Sequence, residues 1–123
     1  MRKKDVIKMS ICAGAIVMLT SLMSYASETV LLYSNQTNAS TSALSITDYD
    51  VTVWGNVSPD SKHDVEFVVK DGNHTAFDDT IEKGDVLSPT DCLTINDSVV
   101  LTLYGNSQSS PKNKCIASGG ICD

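Results

Sequence analysis

Apolar and polar residues alternate along much of the chain after residue 26, in short segments. These segments cover residues 28–34, 43–47, 49–57, 64–70, 74–81, 92–95 and 99–105, and they are rich in Val, Ile, Thr and aromatic residues. Because successive side chains of a β-strand point to opposite faces of a sheet, this period of two predicts strands. No stretch of this region has the periodicity of a long amphipathic helix. We therefore predict an all-β fold with about seven short strands.

Turn-forming sequences separate these segments: SPDSK, KDGNH, EKGDVLSPTD and NDS. In the second, either Asp71-Gly72 or Gly72-Asn73 could form a two-residue hairpin turn, and the choice would set the strand register. Residues 34–45 are polar and are predicted to form a surface loop. Short strands with this spacing are typical of a small antiparallel β-sandwich of the Ig-like or jelly-roll-like kind. We predict one such domain over residues 27–106, with residues 107–123 as an appended tail.

A different pattern precedes the strands. Four basic residues fall within the first eight positions, an uncharged apolar run follows at residues 11–19, and small residues occupy positions 24 and 26. This order is that of a secretory signal peptide, predicted over residues 1–26 with cleavage after Ala26. A membrane anchor is the alternative, because the uncharged span is about as long as a bilayer requires. The basic start is typical of bacterial leaders, so we expect a secreted, extracellular protein that meets the membrane only through its leader before cleavage.

Cleavage would make the protein strongly acidic. Of nine Lys and Arg residues, four lie in the leader, whereas only one of fifteen Asp and Glu residues does, so residues 27–123 carry five positive and fourteen negative groups, a net charge of −9. Such a charge repels nucleic acid phosphates and anionic lipid surfaces. We therefore expect no nucleic acid partner.

Three cysteines remain after cleavage, and an odd number leaves one of them over. Residues 118–120 could turn the chain and bring Cys115 opposite Cys122, so this pair is the candidate disulfide. One alternative is a bridge from Cys92 to Cys115 or Cys122, which would tie the tail to the body of the fold. Another is that all three thiols stay free. A leftover Cys92 could instead join two copies in a disulfide-linked dimer.

One phrase occurs twice, as VTVWGN at residues 51–56 and as LTLYGN at residues 101–106. Strand alternation places the Val and Leu residues of each copy on one face, and Thr and the aromatic residue on the other. If the apolar set faces the core, then Trp54 and Tyr104 stand on outer surfaces. A Gly follows each aromatic residue and allows the strand to bend or bulge.

Two interpretations of these aromatic residues stay open. In the first, a bulge at the Gly folds each ring over the rim of the core. In the second, the rings form an exposed platform for a sugar face or a protein partner. The candidate platform consists of Trp54, Tyr104, Asp48, Asp50 and Asn56.

Catalytic motifs are absent from the sequence. It contains no Gly-x-Ser-x-Gly, no His-Glu-x-x-His and no phosphate-binding Gly loop, and its only two histidines lie in or beside polar turns. We expect no enzyme and no cofactor, although the acidic segments 47–50 and 78–85 could supply oxygen ligands to Ca²⁺. The prediction is a non-catalytic binding or cell-surface interaction module with an unknown protein or glycan ligand. The alternatives are a secreted bacteriocin-like effector and an accessory structural component.

Overall fold

The computed structural model describes residues 26–105 and 114–123. Over these residues it contains nine β-strands and no helix. The strands are β1 (Ser27–Leu32), β2 (Asn38–Ser40), β3 (Leu44–Ser45), β4 (Asp50–Val57), β5 (Val65–Asp71), β6 (His74–Ile81), β7 (Val86–Leu93), β8 (Ser98–Gly105) and β9 (Ala117–Cys122). The prediction of an all-β fold is confirmed for the described residues. The predicted signal peptide lies outside the described residues, except for Ala26 at its end.

The strands form two antiparallel sheets. The four-stranded sheet has the order β1-β9-β4-β7, and the five-stranded sheet has the order β2-β8-β5-β6, with β3 also paired to β8. Residues from both sheets contribute to one hydrophobic cluster, which contains Phe67, Leu32, Ile121 and the inward-facing valines and leucines of β4, β5 and β8. The architecture is therefore sandwich-like, with the core between the two sheets.

The repeated phrase lies on two central strands, one in each sheet. β4 lies between β9 and β7, and β8 lies between β5 and the short strands β2 and β3. Val51, Val53, Leu101 and Leu103 are all completely buried. Each fully buried side chain of this kind contributes about 1.5–3 kcal/mol to stability. The alternation in the sequence thus identified the core-facing side chains of both strands correctly.

The C-terminal segment is not an appendage, and this corrects the sequence prediction. β9 pairs with β1 along one side, from Ser27↔Cys122 to Leu32↔Ala117. It pairs with β4 along the other side over the same six residues. The segment therefore forms an inner strand of the four-stranded sheet and belongs to the domain.

Gly119 and Gly120 explain why this strand was missed. The sequence suggests a turn there, but both glycines lie in the extended β9. A Cβ on Gly119 would lie 2.9 Å from Cε2 of Phe67 on the core side, and a Cβ on Gly120 would lie 2.8 Å from Cε2 of Trp54 on the other side. Both distances are shorter than real Cβ contacts. The glycines therefore allow the rings of Phe67 and Trp54 to pack closely against the strand, which is a common role of glycine inside a strand.

Two further predictions about strands need correction. The turn expected over residues 82–91 is mostly strand, because β7 begins at Val86. Pro89 is tolerated there since β7 is the edge strand of its sheet. The loop expected over residues 34–45 contains β2 and β3, which pair with β8.

The hairpin between β5 and β6 turns at Gly72 and Asn73. Asp71 pairs with His74 across the turn, and Gly72 has a φ of 70°. Gly suits this first central position because it adopts positive φ without steric cost. Of the two registers left open by the sequence, the structure has the second.

Candidate functional site

Tyr104 is an exposed aromatic residue on a central strand. The side chains of Tyr104, Thr102 and Val100 point away from the core, because the alternate residues of β8 fill it. Tyr104 is 42 % exposed, although the strand is flanked on both sides. We call the outer surface formed by these three side chains and their cross-strand neighbours the Tyr104 face.

The register places polar side chains on both sides of the tyrosine. Asn38 of β2 pairs with Tyr104, and Glu66 of β5 pairs with it from the other side. Thr80 of β6 continues the row beyond Glu66. With neighbouring strands about 4.8 Å apart, this row of four side chains spans about 14 Å. An aromatic ring therefore lies between an amide and a carboxyl group on a nearly flat surface.

Two carboxyl groups lie close together on this face. Asp78 pairs with Val68, the next outward residue after Glu66 along β5. A hydrogen bond between the carboxyl groups of Glu66 and Asp78 raises the pKa of Glu66, and partial burial and repulsion between the two charges raise it further. In its protonated form Glu66 can donate as well as accept a hydrogen bond.

The middle of the face is smaller and less polar. Oγ of Ser40 lies 2.8 Å from Oγ1 of Thr102, which links β2 to β8 by a cross-strand hydrogen bond. Val68 is buried beside them on β5, with 7 % of its surface exposed. The side chains at this part of the face are small or buried, apart from the exposed Asp78 that pairs with Val68.

An open depression of about 460 Å³ lies at the far end of the Tyr104 face. Val100 of β8 pairs with Lys70 of β5, and both side chains line the depression. Asn96 and Asp97 of the β7–β8 connection, Ser98 at the start of β8 and Gly72 also line it. The depression therefore adds one cation, one carboxylate and several neutral hydrogen-bonding groups to the face.

A buried carboxylate holds the β7–β8 connection in place. Asp71 is fully buried and accepts hydrogen bonds from the backbone N–H groups of Ile95 and Asn96. Its other oxygen lies 2.7 Å from Nδ1 of His74. Burial alone would raise the pKa of Asp71, but the two N–H groups and His74 outweigh it and lower the pKa. The amide of Asn96 donates in return to the carbonyl oxygen of Asp71, at 2.7 Å.

The predicted platform around Trp54 is not formed. Trp54 and Tyr104 lie in different sheets, and Trp54 is only 3 % exposed. Asp50 is also buried, whereas Asp48 and Asn56 are exposed. The ring of Trp54 does not cover the rim of the core either, since it packs with Cys122 and Gly120 on the outer side of its sheet. Of the two aromatic residues, only Tyr104 has the exposed position expected from the sequence.

The predicted Cys115–Cys122 disulfide is not formed. Cys115 is a buried thiol whose sulfur lies 3.8 Å from the carbonyl oxygen of His63. The turn that would have brought it to Cys122 is instead the extended β9, so Cys115 lies two residues before the start of this strand and Cys122 lies at its end. At about 3.3 Å per residue this separates them by roughly 20 Å, far beyond disulfide reach.

Cys92 has no accessible sulfur for a link to a second chain. It is 5 % exposed and belongs to the core cluster. Burial and the neighbouring charge of Asp91 raise the pKa of its thiol to about 12. The fold therefore does not support the dimer expected through Cys92.

Metal binding gains no support from the described part of the chain. Over residues 26–105 and 114–123, no three His, Cys, Asp or Glu side chains cluster in a way that could hold a metal ion. Within these same ranges, no helix is long and apolar enough to cross a membrane.

Comparison with protein-family models, with curated proteins and with solved structures finds no match to this chain.

Several residues of the Tyr104 face were not identified from the sequence. Strand alternation on residues 64–70 does place Glu66 and Lys70 on the face opposite Phe67 and Val69. This alternation was enough to predict that Glu66 and Lys70 point away from the core. The pairing of Glu66 with Tyr104 joins positions 38 residues apart, however, and no local pattern specifies such a register.

Proposed function

We propose that this protein is an exported, non-catalytic binding module that takes a hydroxyl-rich ligand, a glycan chain, on the Tyr104 face. The exposure of Tyr104 on a central strand, in register with Asn38 and Glu66, carries the proposal. A half-exposed aromatic ring offers a large apolar surface to one face of a sugar. Amide and carboxyl groups beside it can donate to and accept from hydroxyl groups.

The depression beyond Val100 favours a chain over a single sugar. Tyr104 and Val100 are four residues apart on β8, which corresponds to about 13 Å along the strand. A ligand of several units would contact the ring at one end and Lys70 and Asn96 at the other. The net charge of −9 over residues 27–123 favours a neutral or basic ligand over a polyanion.

The test is depletion of the purified protein from solution by insoluble polysaccharides: peptidoglycan, chitin and cellulose. Tyr104→Ala is expected to weaken retention at least about tenfold, because central aromatic residues dominate binding energy. Tyr33→Ala is the matched control, since Tyr33 is 56 % exposed but lies outside this face. Equal retention of the wild type and Tyr104→Ala, or equal loss in both variants, would contradict the proposal. Inhibition of bacterial growth by the protein would instead favour an effector.

A further inference from the structure

The negative charge of the Tyr104 face lies on one side of the tyrosine ring. Glu66 of β5 pairs directly with Tyr104, and Asp78 of β6 pairs with Val68, the next outward residue of β5. On the other side of the ring, β2 contributes only uncharged side chains. A positively charged group of a ligand would therefore be attracted to the edge of the ring that faces β5.

Glu66 holds a proton more tightly beside Asp78 than an isolated glutamate does. A hydrogen bond with Asp78 raises the pKa of Glu66, and partial burial and repulsion by the charge of Asp78 raise it further. An ammonium group can take the place of this proton, because it donates to both carboxylates and removes the repulsion between them. The carboxyl pair is therefore suited to bind a primary amine.

The tyrosine ring completes this site. Cβ atoms of directly paired residues lie about 5 Å apart, so an ammonium group bound to Glu66 lies within reach of the ring of Tyr104. An aromatic ring attracts a cation that lies within about 6 Å of its centre. Because Tyr104 is half-exposed, its apolar surface also stays open to the sugar that carries the amine. The pair and the ring thus contact two adjacent parts of one ligand, its charge and its apolar side.

We propose that the glycan bound by the Tyr104 face is an amino sugar polymer with free amino groups, whose nitrogen is held as an ammonium ion between Glu66 and Asp78. This inference rests on the proposed function and adds the charge of the ligand to it. An N-acetylated sugar has the same ring but a neutral amide, which cannot neutralise two carboxylates. The net charge of −9 over residues 27–123 attracts the same cationic chain from a distance.

The other charged groups around the face do not offer a better position for the amine. Lys70 lies four residues along β5 from Glu66, which corresponds to about 13 Å, and it would repel an ammonium group there. Asp97 lines the same depression as Lys70 and offsets its charge. Asp64 precedes β5 and accepts from the backbone N–H of Lys83 at 3.1 Å. The carboxyl pair, in contrast, combines negative charge with an aromatic surface.

Titration calorimetry of the full chain with oligomers of glucosamine and of N-acetylglucosamine, equal in length, tests the proposal at mildly acidic pH, where the amines are charged. The wild type is expected to bind the glucosamine oligomer at least about tenfold more tightly, because charge-assisted hydrogen bonds replace neutral ones. Glu66→Gln and Asp78→Asn should each remove most of this preference. Asp79→Asn is the matched control and should keep it, since Asp79 is exposed on the same strand but pairs with Phe67 and lies on the other side of β6. Circular dichroism monitors retention of the sheets.

Three results would overturn the proposal. Equal affinity of the wild type for both oligomers would show that the amine is not recognised, and if Tyr104→Ala weakened both, the proposed function would stand without this inference. A preference for glucosamine that persists in both Glu66→Gln and Asp78→Asn would show attraction by the net charge instead of by the pair. Binding of neither oligomer would overturn the inference as well, while depletion by insoluble polysaccharides decides the proposed function independently.

Discussion

Replacement of Asp71 by Asn would test how far the β7–β8 connection depends on one buried carboxylate. Asp71 accepts from two backbone N–H groups and from His74, and none of its side chain is exposed. Asn has nearly the same shape but no charge, and its NH₂ group cannot accept a hydrogen bond. The substitution therefore either leaves a buried donor without its acceptor or replaces the charged contact with His74 by a neutral one, and in both cases the bonds from the two backbone N–H groups lose their charged acceptor.

The expected cost follows from the number of hydrogen bonds. A hydrogen bond to a charged group contributes about 1.5–3 kcal/mol, and a buried donor left without a partner costs about 1–3 kcal/mol. We expect Asp71→Asn to lower the free energy of unfolding by about 2–4 kcal/mol, a large part of the 5–15 kcal/mol typical of a domain. In urea this shifts the unfolding midpoint down by roughly 1–3 M.

The dependence of stability on pH provides a second test of the role of Asp71. The pKa of Asp71 is lower in the folded protein than in the unfolded chain. Its contribution to stability is therefore fully present above the unfolded pKa, near 3.9, and is lost as the pH falls through the folded pKa below it. The wild type should lose stability over this acidic range, and Asp71→Asn should lose less.

Urea unfolding at neutral and acidic pH measures both effects. Asp97→Asn is the matched control, because Asp97 is an exposed carboxylate in the same connection and should change stability by less than about 0.5 kcal/mol. Equal midpoints for the wild type and Asp71→Asn at neutral pH would show that the connection is held by other contacts.

Three further predictions concern packing, thiol reactivity and the carboxyl pair. Gly120→Ala should lower the unfolding midpoint by an amount equivalent to about 1–3 kcal/mol, because its Cβ would collide with the ring of Trp54; a midpoint equal to that of the wild type would contradict this packing. Cys92, with a thiol pKa of about 12, should react with a disulfide reagent at pH 8 only after denaturation, and rapid labelling of the native protein would be inconsistent with its burial. Because the pKa of Glu66 is raised in the folded protein, the wild type should gain a little stability as the pH falls through that pKa. Glu66→Gln should show no such gain, and at pH 7 it should be slightly more stable than the wild type. The difference should not exceed about 0.5 kcal/mol, since solvent screens the pair, and a clear destabilisation of Glu66→Gln in urea at pH 7 would disagree with repulsion from Asp78.

Much of the fold could be predicted because its signal is local. Alternation over residues 49–57, 64–70, 74–81 and 99–105 predicted β4, β5, β6 and β8 with ends within one or two residues of those observed. In β4, β5 and β8, branched or aromatic apolar residues occupy most of the alternate positions that face the core. The alternation of apolar and polar residues in a strand can be recognised in the sequence without knowing which strand it pairs with.

The candidate site could be predicted only in part. The outward direction of Tyr104 followed from alternation, and its exposure agrees with the structure. The residues beside Tyr104 could not be predicted, because Asn38 lies 66 residues away from it in the sequence and in a segment that was expected to be a loop. Trp54 was placed on the correct side of its strand, but the sequence contained no sign that this side would be buried.

Composition and alternation by themselves determined the class of fold, the core face of the central strands and the acidic charge of residues 27–123. Only the tertiary structure decided which strands are neighbours and which of two nearly identical phrases exposes its aromatic ring. The physical reason is that side-chain direction along a strand depends on adjacent residues, whereas pairing depends on residues far apart in the chain. Gly119 and Gly120 show this most clearly: the absence of a Cβ permits a turn or a close contact equally well, and the rings of Phe67 and Trp54 determine that it is a close contact.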